Sequence, residues 1–167
     1  MQKLYSLLII IVFVLVGCHS KSEKEYFDSA DVNAKAKNYS EVVKEYDLLA
    51  KDYPKGDLTC KGLFESAKIY HSLLIPNLTK VESLKKAVEY YKRVSDEFEG
   101  KPEAEQSLFM IGFVQANELN QLDTAKSTYE TFIKKYPNSQ LINSVKLELN
   151  NLGKTPDEIL QSQTVQK

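Results

Sequence analysis

The chain has 167 residues, 43% of them hydrophobic and 27% charged, enough apolar material for one packed domain, which excludes wholesale disorder. Its 22 Lys and Arg stand against 23 Asp and Glu for a net charge of −1, which excludes the basic field of a nucleic-acid binder. With no Trp, six Gly and five Pro, the composition leans toward helices.

The first segment reads as an export signal. Lys3 precedes an uninterrupted apolar run over residues 7–16. That run falls short of the roughly 20 residues of a membrane span and fits the apolar region of a signal peptide. It ends on Leu15-Val16-Gly17-Cys18, which resembles the lipobox of bacterial lipoproteins. The resemblance implies a diacylglyceryl group on the Cys18 thiol, cleavage before Cys18, and acylation of the new amino group. Several acyl chains anchor stably where one holds only marginally. Two other readings stand beside it: an uncleaved N-terminal anchor helix, or an ordinary signal peptide with a chance Cys. His19 follows Cys18, and by the enterobacterial sorting rule the lack of Asp there implies the periplasmic face of the outer membrane. The organisation expected is a signal peptide at 1–17, a lipidated N-terminus and tether at 18–25, a repeat domain at 26–152 and a short C-terminal tail at 153–167.

Beyond the tether the chain repeats itself, which is the signature of a helical array. Segments 41–57, 86–102 and 124–140 superimpose. Each carries an aromatic pair seven residues apart: Tyr46 and Tyr53, Tyr91 and Phe98, Tyr129 and Tyr136. Val42, Ala87 and Ala125 stand four residues before the first aromatic of each pair. Positions 42, 46, 49, 50 and 53 form one apolar helical stripe, and the other two segments repeat it. Pro54 and Pro137 follow the second aromatic, with Glu99 at the equivalent place. Proline disfavours helical geometry in the residue before it, so each segment reads as a helix that stops there. A helix is also expected ahead of each segment, with Ala30, Ala67 and Gly112 as small residues where helices approach closely. Asn38 to Glu41 and Thr79 to Glu82 have capping-box spacing, and Pro102 suits a first helical turn.

These residues resemble the tetratricopeptide repeat, in which a small residue on a first helix packs against Ala and an aromatic on a second. Tyr46 to Pro54 and Tyr129 to Pro137 keep the family's interval of eight. The Tyr136-Pro137-Asn138-Ser139 stretch is similar to outer-membrane assembly lipoproteins of the BamD type and Tol-associated proteins of the YbgF type. The fold expected is all-α, a tetratricopeptide-type array of helical hairpins with about three repeats plus a closing helix near 141–152. The spacing from Tyr46 to Tyr91 is 45 and from Tyr91 to Tyr129 is 38, which assigns the surplus of seven to a longer connection around 74–79.

No sequence feature supplies evident chemistry. There is no nucleophile elbow, phosphate loop or zinc spacing, so no catalytic residue, metal or cofactor is expected. His71 borders an apolar stripe and reads as a packing residue before a base. Cys60 reads as a small buried residue before an intermolecular bridge. The family pattern places Phe64, Lys68, Gln106, Phe109 and Phe113 on the concave face of the array. Phe109 and Phe113, at i and i+4, either grip an apolar peptide side chain or belong to the core. The function expected is a non-enzymatic scaffold, anchored to the membrane through the N-terminal lipid, that holds a protein or peptide partner in the periplasm. By resemblance its machine is outer-membrane protein assembly, with a Tol or cell-wall-linked or pilus-assembly adaptor as the alternative. A small envelope enzyme with an unrecognised site is the reading from another class.

Overall fold

A computed structural model describes residues 21–164. Among them eight helices succeed one another: α1 (Glu23–Lys35), α2 (Tyr39–Asp52), α3 (Asp57–His71), α4 (Lys80–Glu97), α5 (Pro102–Asn117), α6 (Leu122–Lys135), α7 (Ile142–Asn151) and α8 (Pro156–Thr164). Helices α1 to α6 pair as three hairpins, each stacked on the next, and α7 closes the third. The first helices also touch one another, α1 with α3 and α3 with α5. Those helices therefore line the inner side of the stack, as in other helical-hairpin arrays. No helix among the described residues is long and apolar enough to cross a membrane.

The repeated stripe is the core. Tyr46, Tyr91 and Tyr129 are buried, as are Val42, Ala87 and Ala125 four residues before them. Helix α5 is apolar on nearly all sides because α3, α4 and α6 all pack on it, so its pattern carries little amphipathic signal. Ala30 and Ala67 are buried. A Cβ at Gly112 would lie 2.4 Å from Cε1 of Tyr129, and one at Gly62 would lie 2.6 Å from Cδ1 of Tyr46. Gly112 thus seats α6 within its own hairpin, whereas Gly62 seats α3 on the preceding one. Cys60 is a buried free thiol pushed up to about 11 by burial, which agrees with a packing role.

The second aromatics do a different job. Tyr53, Phe98 and Tyr136 are the C-cap residues of α2, α4 and α6, with φ,ψ of −130°,65°, −126°,43° and −127°,58°. Phe98 leaves the helix as the others do, although Glu99 rather than proline comes after it. Proline therefore reinforces an exit that the packing of the aromatic already enforces.

The helix boundaries agree with the sequence expectations in part. The Thr79–Glu82 capping box forms, with Glu82 N–H donating to Thr79 Oγ1 at 3.3 Å and Thr79 N–H to Glu82 Oε2 at 2.8 Å. Asn38, by contrast, is an N-cap without a side-chain hydrogen bond, because its ψ of 63° is not the extended geometry a capping side chain needs. The tether is shorter than expected: a Ser22–Glu25 box starts α1 at Glu23. At the other end the tail holds α8, started by a box between Thr155 and Glu158. The surplus of seven residues falls largely where the spacing put it, in a connection over 72–79 between α3 and α4, with α4 itself 18 residues long against 14 in α2 and α6.

Candidate functional site

On the inner side, residues 64, 68 and 71 of α3 and 106, 109 and 110 of α5 face each other across a groove. Each set keeps the spacing of one helical face. Phe64, Lys68, His71, Ser72, Tyr91, Gln106, Phe109, Met110 and Leu141 line a cavity of about 530 Å³. Its floor is the buried Tyr91 ring of α4. Phe64 meets that ring edge-on at 5.7 Å and His71 at 6.2 Å between centroids. The walls are mostly apolar and the rim is polar, the usual make-up of a site that buries an apolar group and orients it with a few hydrogen bonds.

The rim is held in place. Lys68 donates to Glu65 at 2.8 Å and lies 5.9 Å above the Phe64 ring. His71 Nε2 and Glu118 Oε1 are 2.5 Å apart, joining the last turn of α3 to the end of α5 across one end of the groove. Gln106 is exposed and also lines two further cavities. One of about 290 Å³ runs past Phe64 to Phe27, and one of about 470 Å³ runs past Pro102 to Leu141. A single primary amide, with two donors and an acceptor carbonyl, thus stands where three depressions meet. That placement suits a peptide backbone, whose N–H and C=O groups demand partners when covered.

Four of the five residues expected on the concave face, Phe64, Lys68, Gln106 and Phe109, share this groove. Phe113 does not line it. One turn beyond Phe109, its ring packs on that of Phe109 at 6.4 Å. Of the two, only Phe109 reaches the groove, and Phe113 packs beside it. Sequence reasoning missed Tyr91, Met110, Leu141 and Glu118. Tyr91 carries the core pattern and is a core residue whose ring edge reaches the groove. Glu118 lies 47 positions from His71, a juxtaposition no local spacing signals. No group of three or more His, Cys, Asp or Glu positioned for a metal ion occurs among the described residues. Cys18 lies outside the described residues.

Hairpins stacked in register, with an aromatic-lined groove on their inner side, define a tetratricopeptide-like helical array. A family model for the tetratricopeptide repeat matches residues 106–139, which cover α5 from its second turn, α6 and the turn after them. No curated protein matches the chain. The matched segment holds Gly112, Ala125, Tyr129 and Pro137, the residues on which the resemblance rests. The two earlier hairpins repeat the plan with Val42 and Ala87 in the place of Ala125. Tetratricopeptide repeats are protein-interaction scaffolds, a family typically without catalytic activity.

Proposed function

We propose that the protein is a non-enzymatic scaffold of the bacterial envelope, acylated at Cys18 and held on the periplasmic face of the outer membrane. Its inner groove holds a segment of a protein partner. The observation that carries the reading is the convergence of Phe64, Gln106 and Phe109 on a preformed groove with Gln106 at its branch point. An apolar side chain of the partner fills the space over Tyr91, and Gln106 pairs with the partner's backbone. The lipobox-like Leu15-Val16-Gly17-Cys18 supports the anchor. The resemblance to assembly lipoproteins favours outer-membrane protein assembly as the machine served, with Tol or cell-wall-linked and pilus-assembly adaptors as the other envelope settings.

The test is a photo-crosslinking side chain at Gln106 or Phe109 in intact cells of the native host. The expected product is a discrete adduct with one protein, absent when the probe replaces the exposed Lys44 on α2. Equal labelling from both positions, or no protein adduct at all, would sink the reading.

A further inference from the structure

We infer that the lipid anchor holds the array edge-on. The turns between hairpins lie against the lipid surface, and the apolar α3–α4 connection points away from it. This orientation rests on the reading of Cys18 as the acylated residue, and on the contacts that Lys21 and the turns make.

The first described residue is already docked. Lys21 Nζ pairs with Glu45 Oε2 at 2.8 Å and lies 5.3 Å above the Tyr26 ring, and the Lys21 carbonyl accepts from Tyr53 OH at 3.1 Å. Only His19 and Ser20 separate it from Cys18. Three backbone steps reach roughly 10 Å even when fully extended. An acyl group on Cys18 is thus tied within that reach of the edge where α1 begins, and the membrane that takes it lies near that edge.

The same edge carries every turn between hairpins. Lys55 of the first turn donates to the Glu97 carbonyl at 3.3 Å, and Lys101 of the second pairs with Asp57 at 2.6 Å. Lys135, at the end of α6, pairs with Glu99 at 3.2 Å. These contacts link successive turns along the edge at which Lys21 is docked. This rim is polar. Among the described residues, no exposed large hydrophobic side chain occurs at 51–57, 97–102 or 135–140. The opposite edge has the reverse character, with Leu73, Leu74, Leu78 and Val81 all exposed around the 72–79 connection. Helix α3 has 15 residues, about 22 Å of rise, so this patch stands about that far from the lipid and faces the aqueous compartment.

The experiment uses the full-length protein isolated from membranes and reconstituted into vesicles that carry a headgroup-linked quencher. Single fluorophores are placed at Lys55, Asn138 or Leu78, and the mass of the intact chain is measured in parallel. With acyl mass on Cys18, strong quenching at Lys55 and Asn138 with little loss at Leu78 is expected. An acylated chain quenched at Leu78, or equally at all three sites, overturns the orientation and leaves the anchor standing. A chain without acyl mass overturns the anchor and this inference together. A long flexible Gly-Ser insertion between Ser20 and Lys21 is expected to erase the contrast. A contrast that survives it overturns the short tether as the cause.

Discussion

Gly112 and Leu73 are two single residues whose replacement should move stability in opposite directions. Alanine is the better helix former, by about 1 kcal/mol over glycine, yet a Cβ at Gly112 would meet three atoms of the Tyr129 ring at 2.4 to 3.0 Å. That ring is fully buried and has nowhere to go. Overpacking costs about 1–3 kcal/mol, so Gly112→Ala is expected to lower the unfolding free energy despite the propensity gain. Leu73 is the converse case. It ends the turn after α3 at φ 57°, a left-handed conformation, with its side chain half out in solvent. Such geometry costs an L-residue about 1–2 kcal/mol. Leu73→Gly is therefore expected to raise stability by about 1 kcal/mol. Denaturant titration of both variants checks the pair, and a stabilised Gly112→Ala would show that α5 and α6 pack more loosely than the ring contact implies.

At the scale of the element, three helices owe their starts to hydroxyl–carboxylate boxes, at Ser22–Glu25, Thr79–Glu82 and Thr155–Glu158. Thr79 has the most to do, because α4 comes after the longest connection in the array. Thr79→Ala is expected to cost about 1 kcal/mol at neutral pH. The Thr79 hydroxyl first, and its backbone N–H second, hold the Glu82 carboxyl below the ordinary carboxylate range. A carboxyl lowered by folding stabilises fully above its unfolded pKa, near 4.3, and loses that contribution as pH falls through the folded value. The gap between wild type and Thr79→Ala should therefore narrow in acid, read as unfolding midpoints at neutral pH and below about pH 4. A gap that stays constant would mean that the box contributes through the hydroxyl alone.

The described array is a stack with buried tyrosines in each of its three hairpins, and alkali tests it as a unit. Hydrogen bonding to Asp52, at 2.5 Å, pushes Tyr26 up to about 12, and burial pushes Tyr46 to about 12 as well. Burial raises Tyr90, Tyr91 and Tyr129 further still. With folded values above the unfolded value near 10, these phenols stabilise the fold fully below about pH 10. They withdraw that support as pH rises toward and past the folded values. Tyrosinate absorbance from the buried rings should appear only above the ordinary tyrosine range and together with loss of helical ellipticity. A single ordinary titration with the helices intact would contradict the packing of all three hairpins.

What local chemistry writes into the chain is the periodic part. Pairs such as Tyr129 and Tyr136, with Ala125 before them and Gly112 ahead, determine the helices, their hairpins and the face each buries, because these depend on contacts within one repeat and recur every time. The residues of the groove were legible to the same extent. Phe64, Lys68, Gln106 and Phe109 stand at fixed positions on the first helices, and the inner side is set by the array. What only the tertiary structure decided depends on distance in space. Phe113 packed beside Phe109 outside the groove lining, Tyr91 came up as the floor of the groove, and Glu118 met His71 from 47 positions away. Gly62 proved to be the seat for a neighbouring hairpin and Lys21 the clamp at the start of the array. Each of these is set by how one hairpin lies on the next, a relation between surfaces distant along the chain that no local spacing encodes.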